Sequence, residues 1–123
     1  MSYLEKVMNL YKMMAEGKMM DAFEKYYADE VVVTEMPTGE VRNGKEAQRK
    51  AIDQWQNMIK ERHGGGVDSF TSNEETKTTC VENWVDVTTQ DGNRMKMQEV
   101  AVQQWEGDQI IREKFYYHMP TTG

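Results

Sequence analysis

The sequence predicts an α+β fold in which helices near the start of the chain cover one face of a long antiparallel sheet. Residues 2–27 have the apolar spacing of amphipathic helices. Residues 79–118 form three long segments that alternate in the manner of β-strands. A turn between two of these segments contains Asp91-Gly92, a dipeptide typical of β-hairpins. A long twisted sheet that wraps helices leaves a cone-shaped interior.

Two helices are predicted ahead of the first strand. Ser2 and Glu5 have the spacing of a capping box, and an apolar stripe continues to Ala15. Gly17 is well placed to end this first helix. The second helix is short and carries apolar and aromatic residues on one side, namely Met19, Met20, Phe23, Tyr26 and Tyr27.

The middle of the chain predicts one strand and one helix. Residues 31–35 are mostly β-branched, which favours a strand, and residues 37–40 form a turn. Asn43 is expected to cap the next helix, with Glu46 three residues on completing the pattern. This helix is predicted to run to about Arg62.

A run of three glycines, 64–66, follows the third helix. The run lacks the flanking residues of a phosphate-binding loop and comes after a helix rather than before one. We therefore interpret it as a flexible connector. Residues 67–76 then predict a weak, polar edge strand. The element order is α-α-β-α-β-β-β-β within a single domain, 1–123.

Composition and charge exclude several classes of protein. Hydrophobic residues make up 38% of the 123 residues and charged residues 29%, which is typical of a globular domain. The net charge is -6, and the 15 basic residues are scattered among 21 acidic ones. A nucleic-acid partner or an anionic membrane surface is therefore not expected, because either needs a concentrated basic patch.

The few cysteines and histidines predict neither a metal site nor a cofactor. Cys80 is the single cysteine, and His63 and His118 have no spacing that suggests paired ligands. No apolar run approaches the roughly 20 residues of a membrane span. The N-terminus continues directly into an amphipathic helix without the pattern of a signal peptide, so a cytoplasmic location is expected.

The last two strands each have a predicted inner and outer face. In the final strand we place toward the interior Ile111, Glu113, Phe115 and Tyr117. Its outer face carries Arg112, Lys114 and Tyr116, whose charges are less costly in water. In the preceding strand the inner set is Glu99, Ala101, Gln103 and Trp105. The outer set, a candidate dimer surface, is Gln98, Val100, Val102 and Gln104.

Three phrases of the sequence together resemble one superfamily. They are Y-A-D-E-V-V-V-T-E at 27–35, V-R-N-G-K-E-A at 41–47 and A-V-Q-Q-W-E-G-D-Q-I-I-R-E-K-F-Y-Y-H at 101–118. These phrases are similar to those of the nuclear-transport-factor-2-like superfamily, especially its SnoaL-like and ketosteroid-isomerase-like branches. The resemblance implies a cone-shaped, cystatin-like fold with a ligand cavity between helices and sheet. It also implies a homodimer joined through the convex face of the sheet.

The isomerase branch implies candidate catalytic residues. Its proton-transfer base lies near the end of the first strand, and a tyrosine on the first helix helps to form an oxyanion hole. Counting from the first phrase places the base at Glu35 and the tyrosine at Tyr11, whereas alignment on Pro37 places Met36 at the base position. The second acid of that branch has no clear counterpart, because Ala101 falls nearest to it and Glu99 lies one strand repeat away.

The resemblance leaves open whether this set of residues is catalytic. Glu35 could equally face solvent, and Tyr11 could be an ordinary core aromatic. Glu113 needs a raised pKa or an ion-pair partner if it is buried. The proposed pocket wall comprises Trp55, Glu99, Gln103, Glu113, Phe115, Tyr117 and His118.

The sequence therefore supports two hypotheses of function. One is proton transfer, of an isomerase or cyclase type, on an apolar carbonyl compound without metal or cofactor. The other is a non-catalytic domain of the same superfamily that binds a ligand or dimerises. An epoxide-hydrolase-like site is not supported, because its Asp-Arg-Asp arrangement cannot be assembled from these residues.

Overall fold

The computed structural model describes residues 1–118, which form three helices and one six-stranded sheet. In chain order the elements are α1 (Tyr3–Ala15), α2 (Met19–Tyr26), β1 (Tyr27–Glu35), β2 (Glu40–Asn43), α3 (Lys45–Met58), β3 (Ile59–Asn73), β4 (Thr78–Thr89), β5 (Arg94–Glu106) and β6 (Gln109–Tyr117). The predicted α+β class is confirmed. None of the helices within residues 1–118 is both long enough and apolar enough to cross a membrane.

The strands are arranged in the order β2-β1-β6-β5-β4-β3. All neighbours are antiparallel except β1 and β6, which run parallel. This pairing brings the first strand of the chain beside the last one. Because these strands are parallel, Tyr27 at the start of β1 pairs with Ile110 near the start of β6, and Glu35 at the end of β1 pairs with Phe115.

The helices cover the inner face of the sheet and bury an apolar core. The predicted capping box of α1 is present, because the Ser2 hydroxyl accepts from the Glu5 amide and the Glu5 carboxylate accepts from the Ser2 amide. Gly17 follows α1 with a φ of 79°, a conformation that favours glycine and ends helices. The core includes Val7, Leu10, Phe23, Val31, Val33, Val81, Trp105 and Ile110.

The predicted turn is present at residues 36–39, but the structure adds a strand between it and the third helix. Residues 40–43 form the short strand β2, which pairs with β1. Asn43 belongs to that strand and pairs with Val32, so Gly44 rather than Asn43 occupies the N-cap of α3, without a side-chain cap. The helix also ends at Met58, earlier than predicted, because β3 begins at the next residue.

The glycine run is part of a strand and not a flexible connector. Gly64 and Gly66 lie within β3, opposite Asp86 and Trp84 of β4. A Cβ atom added at Gly66 would lie 3.1 Å from the indole nitrogen of Trp84, and one at Gly64 would lie 3.4 Å from the indole ring. These glycines therefore leave room for the Trp84 ring to lie against β3.

A β-bulge changes the inner face of the last strand. Trp105 pairs with Ile110 and Gln104 pairs with Arg112, so Ile111 is the extra residue. Ile110 consequently occupies the core, whereas Ile111 is only partly buried. The prediction that Ile111 belongs to the inner set is wrong for this reason, although alternation beyond the bulge holds for Glu113.

Candidate functional site

Strand register places three polar side chains in a line across the inner face of the sheet, which we call the polar row. It consists of Thr79, Gln103 and Glu113, one residue from each of three adjacent strands. Thr79 pairs with Gln103, and Gln103 pairs with Glu113. Directly opposed residues on one face of a sheet are in side-chain contact. All three are buried.

A directed chain of hydrogen bonds runs along the polar row. The Trp105 indole donates to Thr79 Oγ1 at 2.9 Å, and Thr79 donates to Gln103 Oε1 at 2.7 Å. Gln103 Nε2 donates in turn to Glu113 Oε2 at 2.8 Å. The other carboxylate oxygen, Glu113 Oε1, accepts from the Tyr27 hydroxyl. Both oxygens of this buried carboxyl group therefore have a donor.

Burial decides the protonation of Glu113. Removal from water raises the pKa of Glu113 to about 7, although the hydrogen bonds from Tyr27 and Gln103 favour the ionised form. The charge of Glu35 raises this pKa further and that of Arg42 lowers it. Glu113 can therefore both hold and release a proton near neutral pH.

Glu99 is a second carboxyl group with a shifted pKa on the inner face. Glu99 pairs with Asn83 on one side and with Tyr117 on the other. Burial raises the pKa of Glu99 to about 7, with further contributions from the charges of Glu113 and Glu35. Glu99 is only partly buried, so it combines a neutral-range pKa with some access from outside.

Tyr11 on α1 is a tyrosine whose pKa depends on these two carboxyl groups. Its ring packs edge-on against Phe70 with the ring centroids 5.8 Å apart. Burial raises the pKa of Tyr11 well above its usual value, and the negative charges of Glu113 and Glu99 raise it further. The phenol therefore remains protonated and can act as a hydrogen-bond donor.

Glu35 lies at the end of β1, as predicted, but both of its oxygens are engaged. Arg42 on β2 forms an ion pair with Glu35 Oε2 at 3.0 Å, and the Tyr117 hydroxyl donates to Oε1 at 2.9 Å. Arg42 also donates to Gln48 Oε1 at 2.7 Å. Met36, the alternative at the base position, is 40% exposed. Glu35 is therefore less available as a base than Glu99, because a ligand would have to replace one of these partners.

The other predicted pocket residues occupy different environments. Phe115 is partly buried and packs against the core, and Tyr117 reaches Glu35. Trp55 is partly exposed on α3. His118 is exposed immediately after β6, so it does not join the buried polar row.

Two surface depressions adjoin the C-terminal end of β6. One has a volume of about 290 Å³ and is lined by Glu82, Gln98, Glu99, Val100 and Tyr116. The other, of about 240 Å³, is lined by Met36, Pro37, Tyr116 and Tyr117. The first depression lies on the outer face of the sheet, to which Gln98, Val100 and Tyr116 belong.

Sequence reasoning does not single out Thr79, Tyr27 or Arg42 as site residues. Thr79 has a usable signal, because it precedes Val81 by two residues and so shares its inner face. The apolar spacing places Tyr27 in the second helix, whereas it is the first residue of β1. Arg42 has no usable signal, because its position depends on the pairing of β2 with β1.

No group of three or more histidine, cysteine or acidic residues within residues 1–118 is arranged to hold a metal ion. The acids of the site are instead surrounded by tyrosine, glutamine and asparagine side chains. This environment supports proton transfer and hydrogen bonding.

The fold is that of the nuclear-transport-factor-2-like superfamily. Within that superfamily the chain belongs to the SnoaL-like family, because the profile of the SnoaL-like domain matches residues 1–117. A search of curated proteins finds no match.

Several solved structures are similar to this chain. A protein from Mesorhizobium loti, provisionally assigned as a SnoaL-like polyketide cyclase, is 31% identical, with a TM-score of 0.82 over 95% of this chain and 100% of that one. A cystatin-fold protein from Novosphingobium aromaticivorans is 22% identical, with a TM-score of 0.76 over 94% and 98% of the two chains. A provisionally assigned isomerase from Bacillus subtilis is 16% identical, with a TM-score of 0.80 over 96% and 90%. The last two similarities show the fold alone.

Proposed function

We propose that the chain binds a small apolar carbonyl compound at the open end of the cone and catalyses proton transfer on it. The observation that carries this proposal is a pair of inner-face carboxyl groups, Glu99 and Glu113, whose pKa values are both about 7 and whose charges raise the pKa of Tyr11. The provisional assignment of the 31% identical relative as a polyketide cyclase supports it, because cyclisation of a polyketide is chemistry on carbonyl compounds.

In this proposal Glu99 is the base. Its carboxylate takes a proton from the carbon next to the carbonyl group, and the electron pair of that C–H bond moves toward the carbonyl oxygen. Tyr11 donates a hydrogen bond to that oxygen as negative charge develops on it. Protonated Glu99 then returns the proton to the same or another carbon. A base with a pKa near the working pH is well suited to both steps.

Glu113 has a supporting part as the buried proton-carrying group beside Tyr11. When Glu113 is ionised it raises the proton affinity of Glu99 through their mutual repulsion. When Glu113 is protonated, that repulsion disappears. The apolar wall for the ligand comes from partly buried residues packed against the core, including Tyr11, Met14, Met20, Val67, Phe70 and Phe115.

Deuterium exchange on simple ketones tests the proposal, because it needs only an acidic α-proton and not the natural substrate. Cyclohexanone and acetophenone would be incubated with the protein in D₂O, and the α-proton signals followed by ¹H NMR. We expect exchange above the buffer rate in the wild type and a decrease of about 10²–10⁴-fold in Glu99→Gln. Glu106→Gln is the matched control, because Glu106 is an exposed acid on the same strand. Exchange that survives in Glu99→Gln would remove Glu99 from the mechanism.

A non-catalytic binding domain is the second candidate. The observation that favours it is that both oxygens of Glu35 and both oxygens of Glu113 already accept hydrogen bonds within the protein. Ketone binding, measured by chemical-shift changes of Tyr11 and Phe115, without exchange of α-protons would support this alternative over catalysis.

We also propose that the outer face of the sheet joins two copies of the chain. Val100 and Tyr116 pair across β5 and β6, and both side chains are large and exposed. Val41 adds a third exposed apolar side chain on β2. We expect Val100→Glu to lower the mass measured by light scattering from that of a dimer to that of a monomer. A monomeric wild type would contradict the proposal.

A further inference from the structure

The polar row is joined to one residue whose hydrogen bond can run in only one direction. The Trp105 indole nitrogen is a donor and never an acceptor. Its bond to Thr79 Oγ1 therefore occupies a lone pair of the hydroxyl, whose own proton is directed to Gln103 Oε1. The buried positions of Thr79, Gln103 and Trp105 keep water from replacing these partners.

The direction of this chain fixes the orientation of the Gln103 amide. With its oxygen held by Thr79, Gln103 presents its nitrogen to Glu113 Oε2 at 2.8 Å. A rotated amide would place its oxygen against the carboxyl group, which is favourable only if Glu113 is protonated and donates. In that orientation the Gln103 nitrogen would face Thr79, and the Thr79 proton would lose its acceptor. A lost buried hydrogen bond disfavours the rotated state.

We propose that Thr79 and Trp105 are positioning residues that hold the Gln103 amide with its nitrogen toward Glu113, so that Glu113 Oε2 only accepts and the exchangeable proton resides on Oε1. That oxygen is the one that accepts from Tyr27. The inference rests on the proposed function, because the part of Glu113 as a proton-carrying group belongs to it. Thr79 and Trp105 act through Gln103 and touch no substrate.

Other charged and titratable groups also face Glu113 and must stay unchanged in any test. They come from the elements packed around β6 and are Tyr11 on α1, Tyr27 and Glu35 on β1, Arg42 on β2 and Glu99 on β5. A substitution at Thr79 alters none of them directly. It removes the hydroxyl that orients the amide and, with it, the acceptor of the Trp105 indole.

Titration of the Glu113 side chain by ¹³C NMR of the carboxyl carbon tests the inference. In Thr79→Val the amide is free to rotate and accept from protonated Glu113, so we expect the titration midpoint to rise by about one pH unit, a tenfold gain in proton affinity. Thr79→Ser keeps the hydroxyl and is expected to retain the wild-type midpoint. A purely structural role for Thr79 would change the melting temperature without this upward shift.

A midpoint in Thr79→Val equal to that of the wild type would overturn the inference, as would a Glu113 that stays ionised down to pH 4 in the wild type. If Thr79→Val fails to fold, the wild-type protein still decides. A strong nuclear Overhauser effect between the Gln103 amide protons and the Trp105 indole proton would show the rotated amide. Its absence, with an effect between the Gln103 amide and the Tyr27 ring, is the expected result.

These readouts do not require turnover. A protein that exchanges no ketone proton but shows the Thr79→Val shift would contradict the proposed reaction while supporting the positioning of Gln103. If the wild type exchanges ketone protons but the Glu113 midpoint is unshifted in Thr79→Val, the proposed reaction would be supported and the positioning of Gln103 would be contradicted.

Discussion

The Tyr27 hydroxyl donates to the Glu113 carboxylate across the buried join between β1 and β6. Both residues are buried, and the pKa of Tyr27 is raised well above its usual value by burial and then by the charge of Glu113. The phenol therefore stays protonated wherever Glu113 is ionised. A pH dependence of stability follows from this buried pair.

Stability is expected to fall as pH rises through the range in which Glu113 ionises. Its pKa is about 7 in the folded protein and near 4.5 in an unfolded chain, so the folded state binds the extra proton between these values. The free energy of unfolding should therefore decrease from pH 4.5 to pH 7, with a contribution from Glu113 on the order of 3 kcal/mol. The dependence on pH should weaken in Glu113→Gln.

Urea unfolding at pH 5 and pH 7.5 measures this effect. The difference between the two pH values in the wild type would be compared with that in Glu113→Gln. Carboxylates on the surface contribute equally to both proteins and cancel, and the part of the Glu99 shift that Glu113 causes is lost together with Glu113. The same pH dependence in both would show that Glu113 is already ionised at pH 5.

Removal of the Tyr27 hydroxyl should make Glu113 hold its proton more tightly. Tyr27→Phe deletes a hydrogen bond that favours the carboxylate, so the pKa of Glu113 should rise above its value of about 7. Titration of the carboxyl carbon by ¹³C NMR measures the midpoint. Tyr26→Phe is the matched control, because Tyr26 is the adjacent buried tyrosine and its hydroxyl instead accepts from Asn9. A midpoint that falls in Tyr27→Phe would contradict the assigned hydrogen bond.

The sequence predicts which face of the sheet Gln103 and Glu113 occupy better than it predicts their hydrogen-bond partners. Alternation along a strand is a local property, so Gln103 and Glu113 can be placed inward from the sequence alone. Their hydrogen bonds depend on which residues stand opposite each other, and register is set by pairing across distant segments. The bulge at Ile111 shows the difficulty. Because of this one extra residue, Ile110 lies in the core in place of Ile111, which is only partly buried.

The candidate base shows the same limit of sequence reasoning. Counting within one phrase places Glu35 at the end of β1, and that position is correct. Its partner Arg42 cannot be found in this way, because residues 40–43 are too short and too polar to predict a strand. The ion pair across that hairpin occupies one carboxylate oxygen of Glu35.

Loss of Arg42 should lower the free energy of unfolding more than loss of Glu40, its exposed ion-pair partner. The side chains of Arg42 and Glu35 are 14% and 18% exposed, so Arg42→Met leaves a partly buried carboxylate without its cation. We expect a decrease of roughly 1–3 kcal/mol in the free energy of unfolding, measured by urea denaturation at pH 7.5. Glu40→Gln is the control, because the Glu40 side chain is 60% exposed and its ion pair with Arg42 should contribute less than about 1 kcal/mol. Equal losses in the two variants would contradict this account.

The outer face of the sheet offers a test of why β3 contains three consecutive glycines. A Cβ atom at Gly66 would meet the Trp84 indole at 3.1 Å, so Gly66→Ala should force the ring to move. Lys96 restrains the other side of that ring, with its ammonium nitrogen 4.7 Å from the ring centroid. We expect Gly66→Ala to lower the free energy of unfolding by roughly 1–2 kcal/mol.

The decisive measurement is whether that loss depends on Trp84. In a Trp84→Ala background the steric conflict disappears, and alanine is favoured over glycine within a strand, so Gly66→Ala should become neutral or stabilising. Gly65→Ala is the matched control, because its Cβ would meet the flexible guanidinium of Arg62 on the opposite face. The energetic coupling to Trp84 should therefore be about 1 kcal/mol for Gly66 and smaller for Gly65. Equal coupling at both positions would mean that the glycines do not make room for the indole ring.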